Sequence, residues 1–494
     1  MKTIKLTFYF LIALGLSSCE DFLSEIPDNR TQIDSPEKIS ELLVNAYPPA
    51  NYMEFTETMT DNVFDSGQRN LTVLYNTQNY NWDVPTRVDF DTPASYWEAC
   101  YKAIAHANQA LAAIKELGDT KQLEPQKGEA LLCRAYAHFM LVSLWSKPYN
   151  PATAVTDLGI PYVFEPETVL LKKYKRNTVA EVFNFIEKDL EEGLKYVTNE
   201  YKHQKFHFNK SAANCFASRF YLIKGEWQKV ISVSSELGSN PEGKLRDYQS
   251  YLNLTSNLDA AIMKYASKDE ATNLLLVSVN SIYSRSFYSN RYQLTGADED
   301  QIFGSQTNVF GKSWLYFTLS YNGAITKFVP KVYEYFKITN ANAGIGEPYN
   351  TLVLLSNDEF FLNRIEAHIM TNQFDLANAE LQYFIGTRTE DYDPSTDIVT
   401  EELILDQYPV IADEFTPFYG LTPKQASYIK AVADLRKRDF IHEGLRWFDI
   451  RRFDLKITHR FFDAPPNILQ KGDKRQVLQI PLNASNQGIE KNPR

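Results

Sequence analysis

Gly128-Glu129-Ala130-Leu131-Leu132-Cys133-Arg134-Ala135-Tyr136-Ala137-His138-Phe139-Met140-Leu141-Val142-Ser143-Leu144-Trp145 is apolar nearly all round a helical projection, and Pro148 follows shortly after it. A helix without a wet face has to be covered on every side, so this stretch predicts the centre of a helical core. Pro148, lacking an N–H and fixed in φ, stops it. On the N-terminal side, Ser95–Leu117 carries Tyr96, Cys100, Ala103, Ile104, Ala107, Leu111 and Ile114 at intervals of three and four, the stripe of an amphipathic helix. On the C-terminal side, Thr178-Val179-Ala180-Glu181 is a capping box, and Val182, Phe183, Ile186, Leu190 and Leu194 follow on one face. Few strand-like alternations interrupt this series. The pattern predicts an all-α protein.

Two segments further on read as helical hairpins. Ser211–Ile223, a break at Lys224-Gly225 and Glu226–Leu237 form the first; Asp358–Met370, a break at Thr371-Asn372 and Phe374–Ile385 form the second. Gly225 and Asn372, the residue types best suited to a left-handed helix end, occupy matching places, as do Trp227 and Phe374 just after each turn. Paired antiparallel helices of this kind are the unit of tetratricopeptide-type solenoids. Between the hairpins, about residues 252–350, the chain reads as a loop-rich, aromatic insertion rather than another repeat.

The chain has 494 residues, 44% of them hydrophobic and 23% charged, which excludes disordered and collagen-like classes. Its net charge of −11 argues against a nucleic-acid partner, which wants a basic face. Aromatic residues reach 14%, pointing either to rings that stack on ligands or to an aromatic-rich core. At the N-terminus, Lys2 and Lys5 precede an apolar run from Leu6 to Leu16, then Leu16-Ser17-Ser18-Cys19. The run is too short to span a bilayer and fits a secretory signal over residues 1–18. Leu-Ser-Ser-Cys resembles the bacterial lipobox, which makes Cys19 the lipidation site and residues 19–35 an acylated tether. Glu20 and Asp21 resemble an export signal to the outer face. The other cysteines, Cys100, Cys133 and Cys215, are widely spaced in apolar helices and read as small hydrophobes, not as a disulfide or zinc framework.

Signals for chemistry are weak. Gly311-Lys312-Ser313 resembles the end of a phosphate loop, but Gln306 stands where its first glycine is required. His203 and His207 are four apart, yet lack the accompanying Glu and an obvious third ligand, so they read as a polar linker and no metal is expected. There is no Gly-x-Ser-x-Gly. A carboxylate pair of glycosidase type needs only to converge in space, and 62 acids leave it unlocatable in sequence. The basic cluster Arg436–Arg452, interleaved with Asp439, Glu443 and Asp449 and preceded by Asp434, reads as buried or half-buried ion pairs tying the last helix down.

The resemblance to a known family rests on motifs spread along the chain. They are Ser18-Cys19-Glu20-Asp21-Phe22-Leu23; Leu42-Leu43-Val44-Asn45-Ala46-Tyr47; Trp97, Tyr101, Ile104 and Ala107-Asn108; and Gly128-Glu129-Ala130 with Arg134-Ala135-Tyr136 and Phe139. Further along come Arg176-Asn177-Thr178-Val179 with Ile186 and Asp189-Leu190, then Gly225-Glu226-Trp227. The C-terminal signature is Arg438-Asp439-Phe440, Glu443-Gly444 and Arg446-Trp447-Phe448-Asp449-Ile450-Arg451-Arg452, and Ile480-Pro481 and Asn492-Pro493 fit the tail. In this order they resemble the SusD/RagB family, outer-membrane nutrient-binding lipoproteins of Bacteroidetes. Asp439 departs from the Arg or Glu usual there, and Ser146-Lys147-Pro148 from a commoner Gly-containing turn.

The resemblance implies about four tetratricopeptide-like units with a variable second half, forming a single domain over residues 36–494. It implies a non-enzymatic binding protein on the outer membrane, facing the cell exterior, that caps a SusC-like TonB-dependent transporter and requires no cofactor. The ligand is an oligosaccharide or, as RagB-like members imply, a peptide; a hydrolase is the distant third reading. In the family, the stretch before the Trp-x-x-x-Tyr helix and loops of the second half contribute to binding. Rings stack on sugar faces while amides pair with hydroxyls, so the candidate ligand residues are Tyr80, Asn81, Trp82, Trp314 and Tyr316. Trp97, Trp145, Trp227 and Trp447 are expected in the core and Trp82 in an exposed loop. Trp227→Ala is therefore expected to destabilise far more than Trp82→Ala.

Overall fold

Several of the helices start on a residue whose side chain caps them. Ser35 accepts the Lys38 N–H ahead of α1 (Pro36–Leu43), and Thr92 accepts the Ser95 N–H ahead of α4 (Pro93–Glu116), both with Pro in the first turn. Between them lie α2 (Met53–Thr58) and α3 (Leu74–Tyr80). The computed structural model describes residues 33–494 apart from 168–171, 240 and 255. Cys19, the apolar run before it and most of the 19–35 tether lie outside the described residues.

Helix α5 (Glu124–Trp145) is packed between α4 and α6 (Val179–Tyr196), and its buried residues point in every direction, as its composition predicts. The Thr178–Glu181 capping box at the start of α6 forms in both directions. The two hairpins are α7 (Lys210–Lys224) with α8 (Trp227–Val233), and α9 (Asn357–Met370) with α10 (Phe374–Gly386). Gly225 (φ 75°) and Asn372 (φ 59°) both take the left-handed conformation that reverses the chain. Trp227 and Phe374 are only half-buried. Each meets a later segment edge-on, Trp227 against Tyr419 at 4.9 Å and Phe374 against Tyr428 at 5.1 Å. Helix α9 packs on α7, α8 and α11 (Pro423–Asp439), so it joins the hairpins, and α12 (Leu445–Arg452) closes the C-terminal side against α2.

Buried polar pairs fix how the helices sit. Arg134 on α5 binds Asp189 on α6 with two hydrogen bonds of 2.6 and 2.7 Å and reaches Asn108 on α4 at 2.9 Å. A planar fork held by three helices allows one register only. The Tyr47 hydroxyl donates to Glu129 at 2.6 Å and accepts the Phe208 N–H at 2.7 Å. The basic C-terminal cluster forms the expected ion pairs: Arg436–Asp449 at 2.9 Å, Arg438–Asp434 at 2.6 Å and Arg446–Asp61 at 2.8 Å. Arg452 bridges Asp449 at 2.8 Å and Glu366 at 2.7 Å. His207 is held by Glu129 at 2.7 Å and stacks on Tyr201, while Lys312 pairs with Asp397 at 2.6 Å.

The all-α expectation needs correction. Among the described residues the chain is mostly helical but also carries four small sheets. The largest is antiparallel, with β3 (Ile345–Ser356) between β1 (Asn273–Asn280) and β2 (Glu334–Asn340). It lies in what the sequence suggests is a loop-rich insertion, and β3 leads directly into α9, capped by Ser356. The first five residues of β1 are buried, so Leu274-Leu275-Leu276-Val277 shows no alternation. A strand covered on both faces has no period-two signature to read. Cys100, Cys133 and Cys215 are free and buried, and no described helix is long and apolar enough to cross a membrane.

Candidate ligand-binding site

Four chain segments converge beside α3. The short strand Phe64–Asp65 pairs with Tyr292–Gln293, and Leu71 bridges to Asn290. The hairpin Leu319–Tyr321/Thr326–Phe328 adds a third segment, its Asn322 amide donating to the Arg69 carbonyl at 2.9 Å and the Asn70 side chain at 2.8 Å. The fourth is the 460–463 turn, where the Phe462 N–H donates to Asp65 at 2.9 Å and Arg291 joins Asp65 at 2.6 Å to Asp463 at 3.0 Å. The stretch before α4 and the aromatic second-half insertion are thus partly brought together: the Asn76 side chain accepts the Tyr292 N–H at 3.1 Å.

The named rings do not face outward. Trp82 is only 2% exposed; it stacks on His459 at 4.1 Å and donates its indole N–H to the Met59 carbonyl at 3.0 Å. Tyr80 lies between Tyr292 (4.2 Å) and His459 (3.9 Å), with its hydroxyl on the Arg460 carbonyl at 2.8 Å. Half-buried Asn81 donates to the Thr77 carbonyl at 3.0 Å and meets Asn467. Trp314, 9% exposed, donates to Thr307 at 2.9 Å and lies under the Arg438 guanidinium at 4.9 Å. The Tyr316 hydroxyl donates to Asp439 at 2.9 Å, pinning its segment to α11. The rings lie in the interior, Tyr80 and Trp82 against His459 and Trp314 against Tyr316, so the expectation of one exposed stacking surface is corrected. Each carries a polar tip with a buried partner, which lets a large aromatic leave water completely.

Other residues supply the exposed rings. Phe462 is 73% exposed and Tyr321 43%, and Leu71 and Leu74, on the segment that leads into α3, are exposed as well. Tyr321 meets half-buried Tyr288 at 5.0 Å, and Tyr288 is backed by Phe328 at 5.1 Å. Gly67 (φ 70°) lets Phe462 lie close: a Cβ there would meet the ring at 3.3 Å. Exposed Gln68, Arg69 and Asn322 rim this apolar surface. Sequence reasoning missed these residues. The usable signal was Asn322-Gly323, a turn pair that puts Tyr321 near a hairpin tip.

Beneath this face Glu54, Glu57, Tyr283, Asn290 and Tyr292 enclose a void of about 20 Å³, room for about one water and none for a sugar. Burial pushes Glu57 up to about 7. Glu54 is raised by burial and by the nearby Asp91 carboxylate. Both acids are held by neighbouring groups, Glu57 by the Asn62 amide at 3.0 Å and Glu54 by the Ser286 hydroxyl at 3.0 Å.

Fold and face together define a class: a helical-hairpin scaffold presenting a loop-built, ring-bearing surface. Residues 21–222 match the family model of SusD-like proteins described as starch-binding, associating with outer membrane. A SusD superfamily protein from Bacteroides thetaiotaomicron VPI-5482 superposes with TM-score 0.66 at 19% identity, covering 93% of this chain and all of that one (100%). A SusD-like carbohydrate binding protein from Bacteroides vulgatus ATCC 8482 gives 0.66 at 16% identity, covering 92% and 96%. A laminarin binding SusD-like protein gives 0.57 at 15%, covering 93% and 98%. No curated protein matches the chain by sequence. Residues 21–222 are thus similar to SusD-like proteins in sequence, and the chain shares their fold over nearly its whole length.

Proposed function

We infer that this chain is a glycan-binding lipoprotein of the outer membrane that delivers oligosaccharide to a SusC-like TonB-dependent transporter. The observation that carries the ligand assignment is the exposed face of Tyr321, Phe462, Leu71 and Leu74, with Tyr288 behind it and amides at its rim. An uncharged glycan offers no ionic handle, so affinity rests on apolar ring faces and hydroxyl–amide pairs. The family description and the laminarin-binding neighbour support the class of ligand. The face binds and orients; the proposed role needs no bond making.

The test is a titration with starch and laminarin oligosaccharides. The Tyr321→Ala and Phe462→Ala variants should each lose about 1–3 kcal/mol of binding, by analogy with base stacking, and together most of a micromolar affinity. Helical circular dichroism should stay unchanged, since both rings are outside the core. Undiminished binding would move the site to the cleft of about 1020 Å³ where Tyr101 and Tyr174 stand beside Gln109, Asn483 and Gln487. Binding of peptides in place of sugars would favour the RagB-like reading.

Membrane attachment is proposed to rest on Cys19. Cys19→Ala should leave the chain folded and move it from the membrane to the soluble periplasmic fraction, because acyl chains supply the anchoring. Retention of the variant in the membrane fraction would overturn the lipoprotein assignment.

A further inference from the structure

Of the five arginines between Arg436 and Arg452, four hold a carboxylate and one does not. Arg451, at the end of α12, is 4% exposed. Among the described residues its one hydrogen bond runs from Nη2 to the Ser146 carbonyl, and its Nε has no acceptor. Among the described residues it pairs with no acid and lies over no ring. A buried guanidinium without a counter-charge is a costly arrangement, and burial alone draws its pKa down to about 9.

Arg451 lines a cavity of about 780 Å³ between the 147–158 turn, the 416–418 loop and the C-terminal segment. That volume lies within the range of small-ligand sites. The acids on the walls are already engaged. Asp157 is held by Lys147 at 2.6 Å, and Asp473 by Arg475 at 2.7 Å. Asp454 accepts the Gly472 N–H at 2.7 Å and the Gln476 amide at 3.2 Å. Exposed Lys474 adds a second cation, while Tyr149 and Phe418 give the cavity an aromatic wall. Arg451, Lys474 and the two flat rings thus line the same space, with Asp454 as the one lining acid among the described residues that no cation pairs.

We propose that this cavity is an anion site, separate from the ring-bearing face, in which Arg451 takes the carboxylate or sulfate oxygens of a compact ligand. The guanidinium supplies N–H donors to the oxyanion, and the anion supplies the missing counter-charge. Tyr149 and Phe418 cover the apolar face of the group that carries it. An acidic monosaccharide and a free inorganic anion share this chemistry.

The experiment is calorimetric titration of the full chain at fixed ionic strength with glucuronate, with sulfate and, as neutral control, with glucose. Saturable binding of glucuronate but not glucose supports the site with an organic acid as occupant. Binding of sulfate alone supports it with an inorganic one. Arg451→Gln should weaken the binding about tenfold or more, the loss of one charge-assisted contact. Because that change touches a buried residue, a second variant keeps the test sharp. Thr156→Glu on the exposed wall leaves Arg451 in place and sets a carboxylate beside the cavity, which should weaken the anion similarly without affecting the fold. Absence of binding by both anions overturns the proposal, as does affinity unchanged by both variants.

Discussion

Trp82→Ala lowers folding stability by about 3–5 kcal/mol, the cost of removing a fully buried indole and leaving its space open. The ring is stacked on His459 and hydrogen-bonded to the Met59 carbonyl, so its loss also frees a buried acceptor. Trp227→Ala costs less, about 1–2 kcal/mol, because that side chain is only partly buried and meets Tyr419 edge-on. This is the reverse of the order expected from sequence. The backbone adds a finer test. Trp82 sits at φ 56°, a conformation that costs a side-chain-bearing residue about 1 kcal/mol or more. Trp82→Gly loses the ring but relieves that strain, and should melt at a higher temperature than Trp82→Ala. Denaturant melts of the three variants decide it: equal losses at Trp82 and Trp227 would contradict the packing described above.

Arg388→Met is the second large loss, about 3–5 kcal/mol near neutral pH. Arg388 is fully buried. It pairs with Asp358 at the start of α9, meets Asp439 at the end of α11 at 3.1 Å and lies on the Phe384 ring at 3.8 Å. Although burial raises the Asp358 carboxyl, Arg388 and Arg246 outweigh it and hold the group below its ordinary range. Remove the guanidinium and two buried carboxylates lose their common counter-charge. Burial then raises the Asp358 carboxyl without Arg388 to oppose it, so the folded protein binds a proton that the unfolded chain has released. Stability of the variant accordingly falls as pH rises from about 4, and the gap from the parent widens toward pH 8. Adding Asp439→Asn should restore part of the loss by removing one of the two charges. A gap that narrows as pH rises, or no restoration in the double variant, would show that the pair acts through packing alone.

Asp439 also joins two distant parts of the chain. The acid accepts from Tyr316 and from Arg388, so one carboxylate ties the aromatic second half to the last long helix. Nothing in the local sequence indicated this, because Asp439 and Tyr316 are more than a hundred positions apart. The neighbouring ion pairs were more legible. Charges of both signs interleaved on helices that otherwise read as buried require pairing, and the described pairs bear that out for every arginine of the cluster except Arg451.

Local chemistry determined the helices. The all-round apolar α5, the Thr178–Glu181 box and the left-handed Gly225 and Asn372 follow from interactions within one or two turns, which any sequence window contains. The strands of the central sheet were hidden because β1 is covered on both faces and pairs with residues about 70–80 positions away. The ligand face was hidden for a related reason. Whether a ring is a core residue or a contact surface depends on what covers it, and Trp82 is covered by His459, while Phe462 is laid open over Gly67. Composition and hydrophobic pattern determined a helical protein rich in rings. Only the tertiary structure decided which rings meet water, because burial is set by long-range neighbours and not by the residue itself.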